Sequence, residues 1–140
     1  MIQDQTNIST MEITPVIGCK IRCTFCPQNK LIRAYAQNSN ISKMTFDTFK
    51  KCLDKIPPVV HIHFSGMAEP WLNPECTKML LYAHQRDYEV SVYTTTVGMT
   101  VSDVKNIESI PFRHFNVHLA DKERYSKIDI TDNYIETINI

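Results

Sequence analysis

The sequence predicts an α/β fold with a parallel sheet, drawn into an open, partial (βα) barrel. Two observations carry this. Short β-branched and aromatic runs alternate with helix-period segments along the chain, the order that gives strand–helix–strand units. Three of those runs are also apolar on one face only. Val60, Ile62 and Phe64 alternate with His61, His63 and Ser65; Val90, Val92 and Thr94 alternate with Ser91, Tyr93 and Thr95; Phe115, Val117 and Leu119 alternate with His114, Asn116 and His118. Parallel strands enclosed between two helical layers are apolar on both faces. Helices are therefore expected on one side, with the polar face turned into a cavity that binds a ligand at the carboxyl ends of the strands. On this reading His61, His63, Tyr93, Asn116 and His118 line the concave face. Val60, Ile62, Phe115 and Val117 pack under helices.

The elements follow in order. Residues 1–10 are polar and read as a flexible N-terminus ahead of an ordered unit over residues 11–140. The first strand is expected at Met11–Thr14, ended by Pro15. A cysteine run comes directly after it, and the polar stretch from Gln28 to Ser42 is expected as a long, mobile loop. Thr45 caps the first helix, with Met44 and Phe49 placed as a hydrophobic staple. Phe46, Phe49, Leu53 and Ile56 share one face of it, and Pro57-Pro58 stops it. The second strand is Val59–Ser65. Asn73 then caps a second helix with Pro74 at its first position, and Cys76, Met79, Leu80 and Ala83 form its apolar stripe. The third strand is Glu89–Thr94. A short helix opens at Thr100, with Asp103 as the acid of a capping box. The fourth strand is Phe112–Leu119, and a last helix opens at Thr131 and runs to Ile140.

Bulk properties narrow the function. At 140 residues the chain is one ordinary domain, able to bury roughly two thirds of its unfolded surface. Its formal net charge is zero and it has no basic block, which argues against a nucleic-acid partner. Met1–Thr10 lacks the apolar stretch of a signal peptide, and no segment is long and apolar enough for a membrane span. Five cysteines with no secretory leader point to a reducing, cytoplasmic compartment, with thiols kept for metal or catalysis.

The chemistry concentrates in Cys19-Lys20-Ile21-Arg22-Cys23-Thr24-Phe25-Cys26, bracketed by Gly18 and Pro27. This C-x3-C-x2-C spacing converges three sulfurs on one point. Thiolates at such short spacings hold iron–sulfur clusters, and three of them leave one iron of a four-iron cube open. A zinc site is the alternative, with Cys52, His61 or His63 as fourth ligand, although structural zinc usually draws on two C-x2-C arms. Cys52 and Cys76 fall on apolar helix stripes and read as small core residues. Lys20 and Arg22 flank the sulfurs, either easing thiol ionisation or standing as solvated loop cations. A second segment, Phe64-Ser65-Gly66-Met67-Ala68-Glu69-Pro70-Trp71-Leu72, closes the second strand. Thr94-Thr95-Thr96-Val97-Gly98 closes the third, and Val117-His118-Leu119-Ala120-Asp121 closes the fourth.

These four segments together resemble the radical SAM superfamily. The resemblance implies that Cys19, Cys23 and Cys26 hold a 4Fe–4S cluster whose fourth iron is chelated by S-adenosyl-L-methionine (SAM). Reductive cleavage of SAM then gives a 5′-deoxyadenosyl radical that abstracts hydrogen from a substrate. It implies that Phe25 packs beside the adenine. The segment ending in Glu69-Pro70 takes the place of the family's Gly-Gly-Glu-Pro, with Met67 and Ala68 at its two glycines and Gly66 supplying local freedom. There the backbone of Gly66, Met67 and Ala68, with Glu69, holds the methionyl amino group. Thr95 lies where relatives carry Thr-Asn-Gly. His118 stands at the serine of a Ser-Leu-Asp run that contributes to ribose binding. The family fold has six βα units and four are counted here, so residues 11–140 read as a radical SAM core truncated on its C-terminal side. The resemblance also implies an external electron donor, flavodoxin- or ferredoxin-like. The substrate stays unknown. The reading from another class is a non-catalytic metal-binding module, with a structural zinc or cluster site.

Overall fold

The computed structural model describes residues 9–140. Four parallel strands form one sheet in the order β1-β2-β3-β4: β1 (Thr10–Ile13), β2 (His61–Phe64), β3 (Val90–Thr94) and β4 (His114–Val117). Five helices connect or follow them: α1 (Gln28–Ala36), α2 (Phe46–Leu53), α3 (Cys76–Gln85), α4 (Val101–Ile107) and α5 (Asp132–Ile138). Strand order equals chain order, so each connection is a crossover of the same kind. All strands then end on one side, where the loops gather.

Local chemistry places most elements as expected. The Thr45 hydroxyl accepts from Thr48 N–H at 3.2 Å and starts α2. Thr100 and Asp103 form the full capping box of α4. The Thr131 hydroxyl accepts from Tyr134 N–H at 3.2 Å and opens α5. One expectation shifts: α3 begins at Cys76 with Glu75 in the cap position, so Pro74 is not its first residue and the buried Asn73, expected as the cap, acts differently. Its Oδ1 accepts from Glu75 N–H at 3.0 Å, while its Nδ2 donates to the carbonyls of Pro15 and Met44 at 2.8 Å each. This buried amide ties the start of α3 to the loops on either side of α1. A short 3-10 turn over Pro70–Leu72 precedes it.

The core lies between the sheet and α2, α3 and α4. Ile62, Phe64, Val90 and Val92 from the strands meet Phe49, Leu53, Met79 and Leu80 from the helices, all almost fully buried. These are the faces that the period-two pattern assigned to the helical side. Burying such side chains stabilises by about 1.5–3 kcal/mol each.

Several expectations give way. Residues 1–8 lie outside the described residues, so most of the expected flexible N-terminus is not addressed; Ser9 O already accepts from His61 N–H at 2.9 Å, and β1 begins at Thr10. The expected loop from Gln28 holds α1, because Leu31, Ile32 and Tyr35 recur at helical spacing and turn inward with Gln28. Cys52 is exposed, one step off the buried Phe49–Leu53 face of α2, whereas Cys76 is fully buried. The last helix ends at Ile138, and Asn139 caps it. Phe115 and Val117 face the helical side, in a groove of about 350 Å³ with Val104, Ile107 and Ile138. They stay 37% and 41% exposed, because β4 lies at the sheet edge and the short helices α4 and α5 cover it only in part.

That edge has a consequence in solution. Among the described residues no strand pairs with the outer side of β4, and its apolar side chains are half in water. Unpaired strand edges template association. The 140-residue chain is expected to self-associate with rising concentration on sizing chromatography, and Val117→Lys to shift it toward monomer. A monomeric parent at all concentrations would contradict this.

Candidate functional site

The loops at the carboxyl ends of the strands build one cavity of about 190 Å³. Cys19, Cys23, Phe25 and Cys26 enter from the loop after β1, and Gly66, Met67, Ala68 and Glu69 from the loop after β2. Thr95 comes from the end of β3 and His118 from the end of β4. Every site residue expected from the sequence therefore reaches the same space. Ile21, Gln28, Tyr93 and Thr94 complete the lining.

The cysteine loop is held from both sides. Gln28 is buried, and its Oε1 accepts from Cys19 N–H at 2.8 Å. Thr24 N–H donates to Tyr125 O at 2.8 Å, and Lys127 N–H donates to Ile21 O at 3.2 Å. Ile21 packs with Ile128 and Tyr134 in a small second core that Cys19 and Cys23 also touch. The segment after β4 thus braces the cysteines. Asp121 organises that segment, accepting from Tyr125 N–H at 2.7 Å, Ser126 N–H at 2.9 Å and the Ser126 hydroxyl at 2.8 Å. Led by the Ser126 and Tyr125 amides, these bonds hold its pKa down to about 2.

Cys23 illustrates the electrostatics. Burial, then the neighbouring Cys19 and Cys26 sulfurs, push its thiol above the ordinary value. Three thiols this close resist ionising together, and a cationic centre relieves that repulsion. Three cysteine sulfurs have the chemistry to hold a soft metal or cluster, but among the described residues no three Cys, His, Asp or Glu side chains are grouped so that they could hold a metal ion.

Glu69 is the most constrained polar group. It is 2% exposed. Its Oε1 accepts from the Thr94 hydroxyl at 2.7 Å and Trp71 N–H at 3.2 Å. Its Oε2 accepts from Thr95 N–H at 2.6 Å and the Thr95 hydroxyl at 2.7 Å. A carboxylate has about four acceptor positions, and all are taken. Burial raises its pKa against the pull of those donors. The carboxylate latches the loop after β2 onto the end of β3. In doing so it sets Met67 O 4.0 Å from the Cys26 sulfur. Gly66 completes the approach: its φ is +111°, and a Cβ there would collide with the Thr14 side chain.

On the far wall Phe25 and His118 stack, with ring centroids 5.7 Å apart and planes 20° from parallel. On the concave face Tyr93 is 54% exposed and lies over His63 at 5.1 Å between centroids. His61 is buried and pairs with Glu89 at 3.0 Å, which also holds Arg113 at 2.9 Å. Neither histidine shares the cysteine cavity.

No protein-family model matches the chain. Among solved structures it is similar to BtrN in complex with AdoMet and 2-DOIA, with a TM-score of 0.61 over 93% of this chain at 15% identity. The chain spans 55% of that protein's length. At this identity the likeness shows the fold alone: an α/β fold whose four-stranded parallel sheet is a partial (βα) barrel.

Two outcomes are expected here. Thr95→Val removes a hydroxyl donor and leaves a buried carboxylate short of a partner, so urea unfolding should show a loss of about 1–3 kcal/mol; an unchanged midpoint would refute the latch. Asp121, with its folded pKa depressed from 3.8 to about 2, contributes stability that is complete above 3.8 and is lost as pH falls through about 2. Its carboxyl carbon resonance should titrate near 2; titration near 3.8 would mean that the brace is not anchored.

Proposed function

We propose that this chain is the core of a radical SAM enzyme, which binds a 4Fe–4S cluster and SAM and acts on a substrate still to be identified. The observation that carries the reading is the convergence of Cys19, Cys23 and Cys26 with the Gly66–Glu69 segment in one cavity, from loops at least forty residues apart in sequence. The fold likeness to BtrN, whose structure holds AdoMet, supports it.

In this reading Cys19, Cys23 and Cys26 are the cluster ligands and leave one iron for SAM. When bound, the cluster and SAM supply one-electron cleavage of the sulfonium and a 5′-deoxyadenosyl radical. The chain's residues position and shield. The carbonyls of Met67 and Ala68, on the loop that approaches Cys26, would hold the methionyl ammonium of SAM. Glu69 has no free acceptor position, so it acts on that ammonium through the backbone it holds and through its buried negative charge. Phe25 and His118 form an aromatic wall for the adenosyl end. Ile21, packed behind the sulfurs, excludes water from that side.

The saturation of Glu69 favours a second reading, a metal-binding module that does not cleave SAM. The two part on a simple measurement. Anaerobic reconstitution with iron and sulfide is expected to give a brown protein carrying four irons per chain by the cluster's stoichiometry. Cys19→Ala, Cys23→Ala and Cys26→Ala should each abolish the colour, and Cys52→Ala and Cys76→Ala should leave it. Reduction with SAM present should then release 5′-deoxyadenosine. A colourless zinc protein, or a metal lost with Cys52→Ala and kept with Cys19→Ala, would overturn the proposal.

A further inference from the structure

The concave face of the sheet carries polar groups beyond those of the cysteine cavity. Glu12, His63, Ser91 and His114 stand side by side in one row across all four strands. Tyr93 and Asn116 are paired on the same face, one step nearer the carboxyl ends. Glu12 and Tyr93 lie two strands apart, yet both lean over β2. The Glu12 carboxylate accepts from the Ser65 hydroxyl, and the Tyr93 ring lies 5.1 Å from the His63 ring, centroid to centroid. His63 and Ser65 are successive residues of that face, about 6.5 Å apart along the chain. A carboxylate and an exposed aromatic ring therefore border the same small space above β2.

Charge in that space is one-sided. None of the four strands contains Lys or Arg. Glu89, at the amino end of β3, is matched by Arg113 and His61. Glu12 has no cation within ion-pair reach among the described residues. Burial lowers the pKa of His63; Glu12 pulls it back up, and His61 and His114 push it down. His63 is thus a poor counter-ion for Glu12 near neutral pH. Its Nε2 is sealed from water with no hydrogen-bond partner among the described residues, a cost that native proteins rarely carry. An unpaired carboxylate beside the face of an aromatic ring suits an organic ammonium, drawn by the charge and by the ring quadrupole together. The same charge repels phosphates and carboxylates. Tyr93 also lines the cysteine cavity, so the two spaces meet at its ring.

We propose that the substrate is a small organic amine, bound as its ammonium between Glu12 and Tyr93, with its remaining atoms turned into the cysteine cavity. That this molecule is a substrate rests on the proposed function; ammonium binding at Glu12 and Tyr93 stands without a cluster.

The probes are benzylamine, benzyl alcohol and benzoate, one ring bearing a cation, a neutral group and an anion. They are titrated into the cluster-free 140-residue chain at neutral pH, with the ring resonances of Tyr93 and His63 followed by nuclear magnetic resonance. Benzylamine should shift both resonances and saturate, while benzyl alcohol should bind at least roughly tenfold more weakly and benzoate more weakly still. Glu12→Gln, which keeps an acceptor for Ser65, should bring benzylamine down to the level of the alcohol. Tyr93→Leu, at an exposed position, should weaken benzylamine as read on His63, and decides the matter if Glu12→Gln does not fold. Glu123→Gln, at an exposed carboxylate on another loop, should change nothing. Equal affinity for amine and alcohol, a preference for benzoate, or an amine affinity untouched by Glu12→Gln and Tyr93→Leu would overturn the proposal. Failure to load iron would instead remove the proposed function, and the titration would still decide the amine site.

Discussion

The site depends on one buried carboxylate. Glu69 sits at the carboxyl end of the sheet, out of contact with water, and a lone charge there would be costly. Four donors from Trp71, Thr94 and Thr95 make the position tenable. They also fix its geometry, because satisfying both oxygens leaves the loop after β2 one place to lie. That place brings Gly66, Met67 and Ala68 against the cysteine loop. On the other side of the latch the chain is equally constrained. Thr96 adopts φ of 62°, rare for a β-branched residue, and Gly98 follows at 91° with the Trp71 carbonyl where its Cβ would be. Backbone held in such conformations persists where the surroundings over-determine it.

The cysteine loop has an independent support. It contains few apolar side chains, so it cannot order itself by burial alone. Ile21 is the exception, and it is buried in the small core of Ile128 and Tyr134. Tyr134 reaches back through its hydroxyl, which accepts from Ala120 N–H at 3.2 Å. The cysteines are therefore held by residues about a hundred positions later in the chain. Losing α5 or the Asp121 turn would loosen the cysteines while leaving the main core of Phe49, Phe64 and Met79 intact.

The sequence made much of this legible. The one-sided alternation of the strands assigned Ile62, Phe64, Val90 and Val92 to the helical face, and they are the buried face of the sheet. The caps at Thr45, Thr100 and Thr131 were readable because each is a local pattern of two to four residues. The cysteine spacing and the Glu69-Pro70 segment placed the site at the carboxyl ends of the strands. What was not legible was non-local or weakly patterned. α1 hides in a polar stretch, since only Leu31, Ile32 and Tyr35 mark its inner side. Three of the four donors to Glu69 come from Thr94 and Thr95, 25 and 26 residues away at the end of the next strand, and no local rule joins them. Gln28 looked like a loop amide, yet it anchors Cys19. Phe115 and Val117 carry the alternation of buried residues, but period two gives the face and says nothing of how much chain covers it.

The central claim is that three thiolates hold a cluster with one iron left open, beside a backbone shaped for the methionyl end of SAM. The most direct measurement is the electron paramagnetic resonance spectrum of the reconstituted, reduced protein before and after SAM is added. The account predicts a 4Fe–4S signal that SAM shifts, because it ligates the open iron, and that S-adenosylhomocysteine with its uncharged sulfur shifts differently. A cluster signal indifferent to SAM would show that the open iron and the Gly66–Glu69 segment do not form one site, and would contradict the account.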